Sequence, residues 1–269
     1  MTAVRPSGTG YVALVLAGDR GPSDAVAQHT EAPCKALSPV GGIRLLERVL
    51  STLSQCPEIS AIRVVGPSAD IWQAHPALQE LLARYQAAWV APDASPSRSA
   101  AAALTDVPAD QPVLLTTADH ALLTSDMVAQ MCRQPANADL GLGLVRHADV
   151  LRAYPATRRT AIKLGREGGY CSCNLFALHT ARARELVAQW QQVETRRKHP
   201  ARVVAGMLGW IGIARYALCR LSLDAALGRL SRRTGVRVVP VLLSQPEAAI
   251  DVDSVADLIE VERILAVRA

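Results

Sequence analysis

The sequence predicts an α/β fold built on a mainly parallel sheet, and three observations carry that expectation. Val12-Ala-Leu-Val-Leu16 is a short apolar run that breaks at Gly18 into a polar loop, Asp19 to Asp24, with no helical period. Strand and helix signals then alternate through the first half of the chain, as in repeated βαβ units. The 269 residues, 50% of them hydrophobic, suffice for one large α/β domain, or two small ones, with a well-buried core.

In chain order, the first strand ends where open α/β sheets hold their ligands, at the carboxyl edge. Glycine lets the backbone approach a phosphate closely, and a lysine farther along, here Lys35, can neutralise it. An ordinary strand followed by a surface loop fits the same residues, and both readings stand at this point. Leu45 to Leu53 has helical spacing, and Ala61–Val65 is a second strand closed by Gly66-Pro67. Trp72 to Tyr85 reads as one helix and Ala87 to Val90 as a third strand. A polar turn, Pro92 to Ser97, leads into an alanine-rich helix from Ser99 to Leu104. Val113–Thr117 is the fourth strand and stops at Ala118-Asp119-His120.

Arg158–Lys163 and Gly168–Leu178 read as a hairpin-like pair of strands. Alternation puts Cys171 and Cys173 on one face, which suits two buried thiols better than a metal pair. Ala181 to Arg233 reads as helices. Within it the basic knot Arg196-Arg-Lys-His199 precedes a largely apolar stretch, Val203 to Leu223, which Arg215 and Arg220 interrupt, against a membrane span. That stretch reads either as a core or homodimer-interface helix or as a basic amphipathic surface meeting a membrane face or a lipid-like acceptor. Val236–Leu243 is the last long strand, and Ile250 to Leu258 leads into a helix over Ile259 to Val267. Ser254 is its N-cap, with Asp257 in the capping-box place. Asp251 and Asp253 alternate on a strand-like segment and point to opposite sides.

Composition excludes several classes. Aromatics make up only 4% of the chain, too few for a stacking platform that reads single-stranded nucleic acid. The net charge of +5 is dispersed, which suits small anionic substrates and not DNA or RNA. Six scattered cysteines without a Cys-x-x-Cys pair read as reduced thiols of a cytoplasmic protein rather than as zinc ligands or disulfides. Met1 to Gly10 lacks a charged-then-apolar signal pattern and reads as a short loose tail.

Leu16-Ala-Gly18, Pro33-Cys-Lys35-Ala-Leu-Ser-Pro-Val-Gly-Gly42 and Leu45-Leu-Glu-Arg-Val-Leu50 resemble the N-terminal signature of nucleotidyltransferases, more narrowly of the MobA-like NTP transferase family. Asp19 stands where that family usually has a second glycine. Thr116 to Thr124 resembles the family's Asp motif, with Ala121 at its usual proline. Cys173-Asn174-Leu175 resembles its Gly-Asn-Leu position, and Ile250 to Leu258 its closing motif. The resemblance implies a single GT-A/nucleotidyltransferase-like domain over residues 1–269. Its expected fold is a three-layer α/β/α sandwich with a mainly parallel (mixed) sheet and a helical insertion at about residues 185–235. It also implies Mg²⁺-dependent transfer of an NMP from an NTP to a phosphorylated small-molecule acceptor, with release of pyrophosphate.

On that resemblance, Lys35, Asp119 and Asp253 are the expected catalytic residues. Leu16, Ala17, Gly18, Asp19, Arg20, Gly21, Lys35 and Ser99 are expected at the nucleotide, and Lys163 and Asn174 at the acceptor. Mg²⁺ needs only one or two protein carboxylates, and the candidates are Asp119 and Asp253, with Asp251 as a further ligand. Asp119 serving only as a turn or helix cap is the plain alternative. A GT-A glycosyltransferase would carry a central Asp-x-Asp, which Thr117-Ala-Asp119 does not supply. No Gly-x-Gly-x-x-Gly or Gly-Lys-Ser/Thr is present to support a dehydrogenase or a P-loop kinase. A non-catalytic nucleotide-binding domain stays open.

Overall fold

The computed structural model of the chain describes residues 10–18, 21, 23–133, 137–164, 168–194 and 221–268. Its strands are β1 (Tyr11–Leu16), a β2–β3 hairpin (Pro39–Val40 and Ile43–Arg44), β4 (Ile59–Val65), β5 (Ala87–Val90), β6 (Val113–Thr117), β7 (Leu140–Arg146), β8 (Ile162–Leu164), β9 (Gly168–Leu178) and β10 (Val238–Leu242). Its α-helices are α1 (Ala25–His29), α2 (Leu45–Ser54), α3 (Ala69–Ala74), α4 (Pro76–Arg84), α5 (Pro96–Thr105), α6 (Ser125–Cys132), α7 (His147–Ala153), α8 (Ala181–Glu194), α9 (Leu223–Thr234) and α10 (Val255–Arg268).

Period-two alternation sets the layering. β1 sends Tyr11, Ala13 and Val15 to one core and Val12 and Leu14 to another. A strand buried on both faces needs helices on both faces. The first core is closed by Leu46 and Leu50 of α2, Leu78 and Leu82 of α4, and Met127 and Met131 of α6. Ala100 and Leu104 of α5, Ala183 and Val187 of α8, and Leu223 and Leu227 of α9 close the second. The result is the expected three-layer α/β/α sandwich. Its eight-stranded sheet runs β10-β7-β9-β6-β1-β4-β5, with β8 paired to β9. β1 is parallel to β4 and β6, β4 to β5, and β7 to β10, whereas β9 runs against β6, β7 and β8. The sheet is mixed and mainly parallel.

A third, smaller apolar cluster lies apart from these two. It gathers Val26 of α1, Val40 of β2, Leu45 of α2, Leu122 after β6, Ile250 and Val252, and Leu258, Val261 and Ile264 of α10. Residues far apart in sequence are thereby drawn to one place.

Several local readings change. Trp72 to Tyr85 is two helices, because Pro76 has no N–H to continue α3 and His75 is driven out of the helical region (φ −124°, ψ 85°). Leu140–Arg146 is a full strand although Gly141 and Gly143 interrupt its apolar pattern. A Cβ on Gly143 would meet Leu175 Cβ at 3.0 Å, so the glycine reflects close strand packing. The closing helix begins at Val255, directly after Ser254, rather than at Ile259. The insertion is described only as α8 and α9; Arg196–His199 and 203–220 lie outside the described residues. Among the described residues no helix is long and apolar enough to cross a membrane.

Gly66 follows β4 with φ +97°, and a Cβ there would lie 2.7 Å from the Ala17 carbonyl oxygen. Gly66→Ala is therefore expected to destabilise the protein by about 2 kcal/mol or more, through strained backbone and a clash with main chain that cannot rotate away. Gly18→Ala meets nothing within 4 Å and should stay within about 0.5 kcal/mol of the parent. Urea midpoints compare the two, and equal midpoints would contradict this packing.

Candidate active site

β1 and β6 are parallel neighbours, so their carboxyl ends lie side by side, with Leu16 in register with Thr117. The pairing extends one step further, Ala118 N–H donating to the Leu16 carbonyl at 2.9 Å. From β1 successive strands lead one way through β4 and β5 and the other way through β6, the switch point at which open sheets take ligands. Beyond β1, Ala17 is buried and Gly18 exposed, and Gly21 takes a left-handed φ of +79°. Asp24 then ends the loop by capping α1, its Oδ1 accepting the N–H groups of Val26 and Ala27 at 3.0 and 3.1 Å. Asp19 and Arg20 lie outside the described residues.

Lys35 opens a one-turn 3-10 helix, Lys35–Leu37, whose Ala36 and Leu37 are buried. Its ammonium donates to Asp119 Oδ2 at 2.5 Å, to Asp253 Oδ1 at 3.3 Å and to the Val252 carbonyl at 3.1 Å. The two carboxylate oxygens are thus no farther apart than those two distances combined. The side chain of Lys35 is 12% exposed. Burial pulls its pKa down, but the Asp119 and Asp253 carboxylates outweigh that and hold it above its usual value. Val252 N–H donates to the Asp119 carbonyl at 3.1 Å, so main chain as well as side chain joins the closing segment to the end of β6.

A second cation holds the other side. Arg159 pairs with the Asp251 carboxylate, donates to the Asp251 carbonyl at 2.7 Å and pairs with Asp257 at 2.8 Å. Asn174, on β9 with φ +50°, donates to the remaining Asp251 oxygen at 2.7 Å. Asp257 also accepts the Ser254 hydroxyl at 2.7 Å and the Asp253 N–H at 3.3 Å, the capping contacts that start α10. Asp251 and Asp253 therefore face different partners. Burial, opposed by Arg159 and reinforced by Asp119 and Asp253, pushes the Asp251 carboxyl up to about 6.

Among the described residues no three His, Cys, Asp or Glu side chains are grouped to hold a metal by themselves. A hard divalent cation that keeps water or phosphate ligands asks for less, one or two carboxylates. Asp119 and Asp253 meet that demand, and Asp119 Oδ1 is buried without a hydrogen-bond partner. Asp251 has both oxygens engaged, one by Arg159 and one by Asn174. His120 supplies no positive charge: burial outweighs the neighbouring Asp119 and pulls its imidazole down to about 4.

The other expected residues lie in different settings. The Ser99 hydroxyl accepts the Asp93 N–H at 2.8 Å and donates to the Asp93 carbonyl at 3.2 Å, fixing the turn before α5. Lys163 is exposed on β8, opposite Gly169. Cys171 and Cys173 are both buried in the first core, and the five described cysteines form no disulfide. Arg159 was not among the expected site residues; its only sequence signal is the pair Arg158-Arg159 at the head of a strand-like segment.

A family model described as the MobA-like NTP transferase domain matches residues 13–207, a span that includes Lys35, Asp119 and Arg159 and stops short of Asp253. A hypothetical transferase from Thermus thermophilus superposes with a TM-score of 0.73 at 27% identity, over 93% of this chain and 99% of that one. A 4-diphosphocytidyl-2C-methyl-D-erythritol synthase from Anaerococcus prevotii shares the fold at a TM-score of 0.55 and 13% identity, over 96% of each chain. So does a CMP:2-keto-3-deoxy-manno-octonic acid synthetase in complex with CTP, at 0.56 and 12%, over 97% of this chain and 100% of that one. No curated protein matches in sequence.

Arg159→Met leaves Asp251 and Asp257 with little compensation and should cost about 3 kcal/mol at pH 7. The sign of its pH dependence follows from Asp251. A carboxyl whose pKa is higher folded than unfolded binds protons more readily in the fold, so its contribution to stability falls as pH rises from about 4 to 6. Removing the guanidinium steepens that fall. The stability loss of Arg159→Met should thus be smaller at pH 5 than at pH 7, and equal losses in urea unfolding at both would refute the assignment.

Proposed function

This chain belongs to the MobA-like NTP transferase family and is an enzyme of the nucleotidyltransferase class; from that premise we propose that it transfers an NMP from an NTP to a phosphorylated small-molecule acceptor, releasing pyrophosphate. The observation that carries the reading is one largely covered ammonium, Lys35, bound to Asp119 and Asp253 beside the Leu16–Gly18 segment at the sheet's switch point. The CTP bound to the synthetase of the same fold makes CTP the first nucleotide to test.

In this reaction an oxygen of the acceptor phosphate attacks the α-phosphorus. An oxygen–phosphorus bond forms as the bond from the α-phosphorus to the bridging oxygen of the β-phosphate breaks, and its electron pair leaves with pyrophosphate. An ionised phosphate nucleophile needs no base, in keeping with a buried, neutral His120. Main chain of Leu16 to Gly18 and of Gly21 is assigned to the triphosphate; Asp19 and Arg20, expected there on the family resemblance, lie outside the described residues. Lys35 neutralises charge growing on the α-phosphate and the leaving group. Asp119 and Asp253 would hold Mg²⁺, which when bound would supply further neutralisation of the phosphates. Asn174 and Arg159 keep Asp251 turned from the metal pair, and Lys163 on β8 meets the acceptor's phosphate. Ser99 serves the nucleotide by fixing the turn before α5.

Pyrophosphate release from each of the four NTPs with Mg²⁺ and a panel of phosphorylated acceptors tests this reading, and silence across the panel would count against it. Lys35→Ala and Asp119→Asn should each lower turnover by about 10²–10³-fold, the scale of losing one transition-state charge contact. Parental turnover in a folded Lys35→Ala protein would remove Lys35 from the reaction.

A further inference from the structure

Lys35 has three N–H donors, and each has an acceptor: Asp119 Oδ2, Asp253 Oδ1 and the Val252 carbonyl. The ammonium therefore takes the place between the two carboxylates that a bridging divalent cation would take. Mg²⁺ binds carboxylate oxygens at about 2.0–2.1 Å, so it and the ammonium cannot share that space. Two positive centres so close would also repel each other, most strongly beside Asp119, whose side chain is 14% exposed.

We propose that Lys35 is a resident counter-ion of its own metal site, so that a divalent cation is held tightly only once a nucleotide triphosphate has drawn the ammonium away. The proposal rests on the nucleotidyltransferase reading of the same site. The movement it needs is small. The backbone of the turn is fixed, with Leu37 N–H on the Cys34 carbonyl at 3.0 Å, Ser38 N–H on the Lys35 carbonyl at 3.1 Å, and Ala36 and Leu37 buried. Only the four-carbon arm of Lys35 has to swing, and phosphate oxygens at the adjacent Leu16–Gly18 turn offer it new acceptors. What it leaves behind is Asp119 Oδ2 and Asp253 Oδ1, next to the already unpartnered Asp119 Oδ1. Linkage makes the effect reciprocal: whatever factor the triphosphate adds to metal affinity, the metal adds to triphosphate affinity. The free enzyme thus keeps its carboxylates neutralised without a metal.

Mn²⁺ titrations of the full chain, followed by the electron paramagnetic resonance signal of the free ion, test this without turnover. In the absence of nucleotide, Lys35→Met should bind Mn²⁺ at least ten-fold more tightly than the parent, and adding Asp119→Asn should abolish the gain. Equal affinity of parent and Lys35→Met overturns the proposal. The unsubstituted protein offers a second measurement in case Lys35→Met folds poorly. Saturating Mn²⁺ should speed acetylation of Lys35 by acetic anhydride several-fold, read by mass spectrometry, because the evicted ammonium enters solvent. An unchanged rate overturns the proposal as well. Tighter Mn²⁺ binding without turnover of any NTP would leave this coupling standing and remove the proposed reaction. Turnover with equal Mn²⁺ affinities would do the reverse.

Discussion

Asp119, Asp251, Asp253 and Asp257 are gathered at one edge of the sheet, and among the described residues Lys35 and Arg159 are the cations paired with them. Four carboxylates at such spacing repel one another, and the raised Asp251 pKa records part of that repulsion. Something other than electrostatics must hold the arrangement. The third apolar cluster does so, because each fully buried Val, Leu or Ile contributes about 1.5–3 kcal/mol. Several such side chains on α1, α2, α10 and the closing segment outweigh a few kcal/mol of charge repulsion. The hydrophobic contacts fix where the backbone goes, and the two cations decide which way each carboxylate turns.

The parts of the molecule legible in the sequence are those with strong local signals. Val12 to Leu16 is apolar throughout and could be placed as a buried central strand, and Ser254 with Asp257 marked the start of a helix to within a few residues. Lys35, Asp119 and Asp253 stood out through the order of three motifs, and the structure brings them within hydrogen-bonding reach of one another. Arg159 was not legible, because its value lies in contacts with Asp251 and Asp257, 92 and 98 residues away, and no local pattern records them. β7 was hidden for another reason. Gly141 and Gly143 break its apolar run, so it drew no strand reading, while the packing that demands Gly143 comes from Leu175 on a neighbouring strand. Ser99 was expected at the nucleotide through the resemblance alone; its hydrogen bonds to the Asp93 main chain follow from how the turn before α5 folds, which the sequence pattern does not record.

Among the described strands, β9 runs against each of its neighbours β6, β7 and β8 in an otherwise parallel sheet. Antiparallel pairing with β6 and β7 lets it span the sheet and leave Asn174 opposite Asp251, held there by a left-handed backbone turn. Asn tolerates that conformation better than most residues, which fits its presence at this point. Asn174 of β9 thus approaches the site through Asp251, and Asp119 approaches it from the end of β6.

The third cluster also has a bearing on how the protein is made. It joins Val26 to Ile264, and the site it assembles needs Asp253, 218 residues after Lys35. At about 5–20 residues per second, a ribosome takes some ten to forty seconds to travel that distance. Throughout that interval Lys35, joined partway by Asp119, lacks Asp253, and the apolar residues around Val26 and Leu45 await α10. Chemical competence therefore waits for the closing segment to be made and to dock against strands laid down long before.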